Sequence, residues 1–221
     1  MEIYVAKISD TMEEFGKKKL LHNQLAQLMP LFRIEKAQAC SSVAERERSL
    51  TAGLLLGYCM RKRGISLEET PCFDKYGKLY FPRTDGFYVN LSHGGNYAVC
   101  AMDTNPVGVD IESVRQYKKN VAERICTSAE LQSLLVLKKE EEKNQIFTKL
   151  WTRKESMAKL SGEGLALLLK TESSFKESVK DCIYTKTYTS VQDTFLSVSS
   201  FQNVFPENIM LLSPESLLQL R

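Results

Sequence analysis

A short apolar stretch carrying two acids, Val107-Gly-Val-Asp-Ile-Glu112, constrains the fold more than any other part of this 221-residue chain. The alternation of apolar residues predicts a buried β-strand, because successive side chains of a strand point to opposite faces. Asp110 and Glu112 then share one face, at a spacing of about 7 Å. At short range, and with an effective dielectric constant of about 20, two carboxylates repel each other by up to ~4 kcal/mol. The pattern therefore predicts a cation between them, and a hard divalent ion such as Mg²⁺ prefers oxygen ligands of this kind.

A helix predicted some forty residues later offers a third acid. Apolar residues recur at helical spacing over about 144–160, where Glu155 and Lys159 are four residues apart and share one face. One interpretation is a surface ion pair that contributes roughly 0.3 kcal/mol. The other is that Glu155 completes a trio of carboxylates with the two acids of the strand, while Lys159 and Lys154 bind phosphate. Trp151, the single tryptophan, is interpreted as a core residue.

The segment that precedes the acidic strand carries a serine and a histidine. Residues 87–91 predict a strand that runs into a Ser92-His93-Gly-Gly turn, and glycines let a backbone approach a ligand closely. Ser92 and His93 can therefore hold a phosphate, although a turn histidine bonded only to backbone is equally compatible with the pattern. The apolar run 97–102 predicts a buried strand that forms a hairpin with 107–112, which would place both parts of the site in one sheet.

The remaining segments predict a mixture of helices and strands, which indicates the α+β class. Strands are predicted at 2–8, 183–189, 195–199 and 209–212, and helices at 12–29, 31–39, 43–63 and 127–138. Arg33 and Lys36 are three residues apart and share a helix face. Arg48 lies near the start of the helix over 43–63, where pairing with neighbouring glutamates is the simplest interpretation.

Composition excludes some classes of protein. A formal net charge of +3 is too small to predict nucleic-acid binding. The first residues have neither the basic nor the apolar region of a signal peptide, and no apolar run reaches the length of a membrane span. The six cysteines are scattered without a Cys-x-x-Cys pair, which predicts reduced thiols and a cytoplasmic protein.

The acidic strand followed by Trp151-Thr-Arg-Lys-Glu-Ser-Met-Ala-Lys159 resembles the two-part signature of the 4′-phosphopantetheinyl transferases. That signature is Gly-(Ile/Val)-Asp-(Ile/Val)-Glu, then Trp-x-x-Lys-Glu-(Ala/Ser)-x-x-Lys, and both halves in this order and spacing are highly specific. Asn90-Leu-Ser-His93 resembles the family's phosphate-binding segment, and Gly77-Lys78 resembles its Gly-Lys-Pro segment, with Leu79 in place of proline. The resemblance covers about residues 31–165.

The resemblance implies a particular architecture. The family has an α+β fold, the 4′-phosphopantetheinyl transferase fold, in which two pseudo-twofold-related lobes hold the active site between them. Here the lobes are expected to be 1–105, which binds the nucleotide and phosphates, and 106–221, which carries the metal-binding carboxylates. The chain is closest to the larger, monomeric subfamily of the surfactin-synthetase-activating type. That subfamily serves nonribosomal peptide and polyketide synthases and hence antibiotic biosynthesis.

The resemblance also implies a reaction. The family moves the 4′-phosphopantetheine arm of coenzyme A to a serine of an apo carrier protein, giving the holo carrier and adenosine 3′,5′-bisphosphate. Mg²⁺ is the expected metal, with Mn²⁺ as a substitute, bound by Asp110, Glu112 and Glu155. Glu155 or a metal-bound water is the expected base, and Lys159 the catalytic cation. The residues expected to bind coenzyme A are Arg33, Lys36, Arg48, Gly77, Lys78, Ser92, His93, Lys154 and Lys159.

Two further expectations concern the binding partner and the alternative functions. The basic stretch 115–124 is expected to dock an acidic carrier protein, without nucleic acid or membrane. A Mg²⁺-dependent phosphoesterase or nuclease would need more clustered acids and a basic groove, and a non-catalytic binding module would leave the acids as mere ion-pair partners. A Ser-His-Asp hydrolase is disfavoured, because the chain has no Gly-x-Ser-x-Gly motif.

Overall fold

The computed structural model describes residues 1–18, 22–162, 183–189, 191 and 193–219, and within them the α+β class is confirmed. The strands are β1 (Glu2–Lys7), β2 (Cys72–Phe73), β3 (Leu79–Tyr80), β4 (Tyr88–Gly94), β5 (Tyr97–Asp103), β6 (Val107–Ser113), β7 (Tyr184–Tyr188), β8 (Thr194–Ser200) and β9 (Met210–Leu211). The helices are α1 (Ile8–Lys18), α2 (His22–Leu25), α3 (Leu31–Gln38), α4 (Val43–Lys62), α5 (Lys119–Ile125), α6 (Ser128–Leu135), α7 (Glu140–Ser161) and α8 (Pro214–Leu217). None of these described helices combines the length and the apolar composition that crossing a membrane requires.

Two sheets form the centre of the fold. The first has the order β4-β5-β1-β9, and the second has the order β6-β8-β7. All neighbouring strands are antiparallel except β9, which runs parallel to β1. A separate hairpin of β2 and β3 lies outside both sheets.

Strand alternation explains how the sheets and helices stack. Alternate residues of β5 (Ala98, Cys100 and Met102) belong to the core that the first sheet forms with α4, whereas Val99 and Ala101 point the other way. There they join a second core with the apolar face of β6, formed by Val107, Val109 and Ile111. The opposite face of β6 lies against α7. The layers therefore run α4, first sheet, second sheet, α7, and the two acids of β6 face α7 as their spacing predicts.

The predicted hairpin between 97–102 and 107–112 is wrong. Strand β5 is central in its sheet and already pairs with β4 on one edge and β1 on the other, so it has no edge left for β6. Strand β6 pairs instead with β8 in the second sheet. The serine, the histidine and the acids therefore come from different sheets.

The predicted turn at Ser92-His93 is also wrong. The ladder between β4 and β5 continues through Ser92 opposite Val99 and His93 opposite Ala98. The reversal comes after Gly94, at Gly95, whose positive φ of 54° suits a residue without a β-carbon. Because Ser92 and His93 are strand neighbours, their side chains point to opposite faces of β4.

Two helix boundaries differ from the predictions. The helix predicted over 12–29 differs from the structure at both ends, because helical residues begin at Ile8 and the described helical residues stop at Leu25; residues 19–21, in the middle of the predicted helix, lie outside the described residues. Helix α7 starts four residues earlier than predicted and includes three glutamates in its first turn, where negative charge is favourable.

Strand β9 and helix α8, which the predicted lobe boundary assigns to the second lobe, pack with the first sheet. The lobe boundary near 104–106 itself stays a prediction.

Candidate active site

Three elements bring the predicted catalytic residues together. Strand β6 supplies Asp110 and Glu112, α7 supplies Glu155 and Lys159, and β4 supplies Ser92. Strands β4 and β6 are edge strands of different sheets and lie against each other, with α7 packed on β6. The carboxylates therefore occupy the seam where the two sheets meet.

Helix α7 is fixed to the second sheet by buried hydroxyl pairs. Thr152 Oγ1 lies 2.9 Å from Ser197 Oγ, and Ser156 Oγ lies 2.7 Å from Ser199 Oγ. At Gly108 the helix approaches so closely that an added β-carbon would lie 2.1 Å from the carbonyl oxygen of Ser156. Hydrogen bonds and close packing therefore fix the helix face that carries Glu155 and Lys159 over the acidic face of β6.

Asp110 is the most deeply buried of the acids, at 4% exposure. Its Oδ1 accepts hydrogen bonds from Lys159 Nζ at 2.7 Å and from Ser92 Oγ at 2.8 Å, and Lys159 also donates to Ser92 at 2.8 Å. Its Oδ2 is buried and has no hydrogen-bond partner among the described residues. A buried carboxylate oxygen without a partner is costly unless a ligand or ion satisfies it.

The other two acids are held near the first and feel its charge. Burial, followed by the charge of Asp110, raises the pKa of Glu112 above its ordinary value, while Arg115 and a hydrogen bond from Trp151 oppose the rise. Burial raises the pKa of Glu155 to about 7, and Asp110 adds to this effect while Lys159 reduces it. Both shifts are therefore caused first by burial and then by the neighbouring carboxylate, and they exceed the opposing effects of Lys159 and Arg115.

These residues fit a divalent metal ion in their chemistry. Three carboxylates, a buried oxygen without a partner and two raised pKa values match a hard cation that takes oxygen ligands. In the described part of the chain, however, no three His, Cys, Asp or Glu side chains are grouped closely enough to hold a metal as they stand. Binding would therefore require the side chains of Glu112 and Glu155 to turn toward Asp110.

The carboxylates open into a cleft with basic residues on the opposite wall. Two adjoining cavities, of about 570 and 670 Å³, share Arg33, Lys36, Leu91, Glu155 and Lys159 in their linings. Arg33 and Lys36 come from α3, so the cleft lies between α3 and α7. Carboxylates facing cations across one cleft are typical of sites that handle phosphate groups.

The cations of the cleft are crowded. Arg33 is buried, its Nη2 donates to the carbonyl of Ser49 at 2.9 Å, and its Nε has no partner among the described residues. Burial lowers the pKa of the Arg33 guanidinium to about 10. Burial and the Arg33 charge lower the pKa of Lys36. Loss of hydration lowers the pKa of His93, and the charges of Arg48, Lys159 and Arg33 lower it further. An anion in this cleft would relieve the repulsion.

The β2–β3 hairpin closes one end of the cleft. Gly77, with a φ of 84°, forms the tip of its turn, and Asp74 Oδ1 accepts from the backbone N–H of Lys78 at 2.9 Å. Lys78 Nζ donates to the carbonyl of Leu160 at 2.7 Å, at the C-terminal end of α7. Burial lowers the pKa of Lys78 to about 8. Gly77 and Lys78 line the larger cavity together with the exposed rings of Phe73 and Tyr76.

Two predicted ligand-binding residues lie outside the cavity linings. Lys154 forms a 2.9 Å ion pair with Glu130 of α6, on another side of α7. Arg48 lines neither cavity, but its charge lowers the pKa of His93, which lines the smaller one. Trp151, interpreted as core, is only half buried and lines the smaller cavity, with the Arg115 guanidinium 4.8 Å from its ring centre. The sequence could have predicted that Trp151 lies at the site, because it precedes Glu155 by one helical turn and so lies on the same side of α7.

Comparison with known proteins identifies the family of this chain. Residues 106–203 match the model of the 4′-phosphopantetheinyl transferase superfamily. The 4′-phosphopantetheinyl transferase ffp of Bacillus subtilis is 29% identical over 91% of this chain and 96% of the relative. The 4′-phosphopantetheinyl transferase Sfp of Bacillus subtilis (strain 168) is 33% identical over 65% of this chain and 68% of the relative. The 4′-phosphopantetheinyl transferase psf-1 of Bacillus pumilus is 29% identical over 75% of this chain and 71% of the relative.

The family match and the three relatives define the class of this α+β protein, which is that of the transferases. Within that class, the chain belongs to the 4′-phosphopantetheinyl transferase superfamily, a family of transferases.

Proposed function

We propose that the protein transfers the 4′-phosphopantetheine arm of coenzyme A to a serine of an apo carrier protein. The products are the holo carrier and adenosine 3′,5′-bisphosphate, and the reaction depends on Mg²⁺. The proposal rests on four side chains that lie at one seam beside a cleft lined by cations, namely Asp110, Glu112, Glu155 and Lys159. This arrangement suits attack on a pyrophosphate, which needs cations at the charge that develops on the phosphates.

The metal would be held by Asp110, Glu112 and Glu155, and when bound it supplies positive charge to the pyrophosphate. The partnerless Oδ2 of Asp110 is the oxygen that most needs such a ligand. Ser92 and Lys159 bond the other oxygen of this carboxylate and so fix its orientation. The ammonium of Lys159 would also neutralise the departing phosphate.

Glu155 is the residue best suited to accept the proton of the carrier serine. In the metal-free site its pKa is about 7, and a bound Mg²⁺ would lower that value and favour the carboxylate form that can accept a proton. The raised pKa has a physical cause in burial and in the neighbouring Asp110. Transfer to a water held at the same site is the alternative route for this proton.

The nucleotide half of coenzyme A would occupy the cleft between α3 and the β2–β3 hairpin. Arg33 and Lys36 are placed to meet its phosphates, with Lys78 and Gly77 at the hairpin and His93 on β4. The lowered pKa values of these cations support this assignment, because each would gain from a nearby anion. Arg48 stays a proposed contributor through longer-range charge, and Lys154 a less favoured one.

The carrier protein would approach beside α5. Lys118, Lys119 and Arg124 are exposed there, and Arg115 at the start of the segment lines the cleft near Glu112. A basic surface next to the site would attract an acidic helix and orient its serine toward Glu155. We propose a carrier of a peptide or polyketide synthase as the client, and a monomeric, cytoplasmic enzyme.

The test is a mass-spectrometric measurement of phosphopantetheine addition to a panel of apo carrier proteins. The wild-type protein with coenzyme A and Mg²⁺ should modify at least one of them, and EDTA should stop the reaction until Mg²⁺ or Mn²⁺ is restored. Glu112→Ala and Glu155→Ala should lower the rate by at least about 100-fold.

The control is Glu207→Ala, because Glu207 is exposed and lines neither cavity of the cleft. It should react at the wild-type rate. Unfolding curves should show that both test variants remain folded. Near-wild-type transfer by either cleft variant would contradict the proposed roles, and no modification by the wild type across the panel would contradict the function.

A further inference from the structure

The two sheets touch along the edges of β4 and β6, and an asparagine joins them. At Gly94 an added β-carbon would lie 2.1 Å from the carbonyl oxygen of Ile111, so the backbones are in direct contact at the end of β4. Four residues earlier the gap is bridged by Asn90, whose side-chain Oδ1 accepts a hydrogen bond from the backbone N–H of Val109 at 2.9 Å. Val109 directly precedes Asp110. Asn90 thus fixes the strand beside its most buried acid.

This hydrogen bond determines which way the amide of Asn90 faces. A backbone N–H can only donate, so the atom that meets Val109 must be the oxygen of the amide. The Nδ2 group, which carries two N–H donors, is therefore directed away from β6. It makes no hydrogen bond to any residue in the described part of the chain.

The side of Asn90 that does not face β6 is the cleft. Asn90 lines the larger cavity, of about 670 Å³, together with Glu155, Lys159 and the Gly77-Lys78 tip of the hairpin. Its neighbours there are a candidate base and two ammonium groups. A pair of N–H donors among cations suits an oxygen of an anionic ligand.

We infer that Asn90 is a further substrate-binding and positioning residue, whose Oδ1 holds β6 while its Nδ2 donates to a pyrophosphate oxygen of coenzyme A. The inference rests on the proposed function for the identity of the ligand. Asn90 begins the segment that resembles the family's phosphate-binding segment, and the inference gives this asparagine a role of its own. It also gives one amide two roles that can be separated by substitution.

The substitution Asn90→Asp separates the two roles of the amide. An aspartate has the same shape and keeps an oxygen for the N–H of Val109, but it replaces the donor with a negative charge that repels an anion. Asn90→Ala removes both groups. Asn203→Asp is the matched control, because Asn203 is exposed after β8 and lines neither cavity of the cleft.

The experiment measures coenzyme A binding by calorimetry, KM and kcat for transfer, and thermal unfolding. Asn90→Asp should bind coenzyme A at least tenfold more weakly and raise KM more than it lowers kcat, with an unfolding midpoint close to that of the wild type. Asn90→Ala should weaken binding as well and should also lower kcat and the unfolding midpoint, because β6 loses its attachment. Asn203→Asp should behave as the wild type.

A measurement on the unmodified chain avoids any dependence on how the variants fold. In wild-type protein labelled with ¹⁵N-asparagine, the side-chain amide signal of Asn90 should shift on addition of coenzyme A, whereas that of Asn203 should not. Unchanged binding in Asn90→Asp, or an Asn90 signal that ignores coenzyme A, would overturn the inference. A wild-type protein that binds coenzyme A through Asn90 yet modifies no carrier would refute the proposed function alone.

Discussion

Replacing Glu155 by glutamine should stabilise the metal-free protein at alkaline pH while removing its activity. The ordinary pKa of a glutamate is 4.5, and burial followed by the charge of Asp110 raises that of Glu155 to about 7. In an acid with a raised pKa, the folded state holds its proton more tightly than the unfolded state. Stability therefore falls as pH rises from about 4.5 to about 7, and the full cost is present above that window.

The size of this cost follows from the shift. Each pKa unit corresponds to about 1.36 kcal/mol, which gives an upper bound of roughly 3.4 kcal/mol for the change from 4.5 to about 7. Because the side chain is only partly buried, solvent screening reduces this to roughly 1–2 kcal/mol. Glutamine has nearly the same shape and carries no charge, so Glu155→Gln should recover this amount at pH ~8.

The assay is urea unfolding of both proteins in EDTA at several pH values. The variant should be the more stable protein at pH ~8, and the difference should shrink steadily toward pH ~5. Glu207→Gln, at an exposed site, should show no such dependence. A variant that is no more stable than the wild type at pH ~8, or a difference independent of pH, would refute the assigned environment of Glu155.

Two further substitutions test the packing of the site. Gly108→Ala should destabilise the protein by about 3 kcal/mol in urea unfolding, since the new β-carbon would lie 2.1 Å from the carbonyl oxygen of Ser156. The control is Gly16→Ala in α1, where the added β-carbon meets open space, and it should be neutral or stabilising by up to about 1 kcal/mol. Lys159→Met should cost about 2–3 kcal/mol at neutral pH, because it leaves Asp110 buried without its cation, and adding Asp110→Asn should recover part of that loss. Equal stability of the Lys159→Met protein and the wild type would show that the ion pair contributes nothing.

The orientation of the acids of β6 toward α7 was predictable because two short-range periodicities define it. Alternation along β6 places Asp110 and Glu112 on one face, and the four-residue spacing of Glu155 and Lys159 places them on one side of α7. The structure places both sets on facing surfaces. Lys154 shows the limit of this reasoning: each residue advances about 100° around a helix, so the neighbour of Glu155 points away from it and meets Glu130 instead.

Strand pairing was not predictable in the same way. The apolar run of β5 is compatible with a hairpin to β6, and only the knowledge that β1 and β4 already occupy its edges excludes that pairing. Asn90 depends on the same knowledge, because its amide is significant only once β4 and β6 are neighbours. Contacts between distant segments have no local periodicity that could announce them.

The two-residue strand β9 makes the first sheet depend on a segment that is synthesised long after the other strands of that sheet. It pairs with β1 through Tyr4 and Val5, about two hundred positions away, and Leu217 and Leu218 of the following segment are buried in the core beneath α4. Contacts this distant in sequence form late, because a long loop must close before they can stabilise anything. During synthesis, the core beneath the half of the cleft that carries Arg33 and Lys36 would therefore stay incomplete until residues 210–218 have been made.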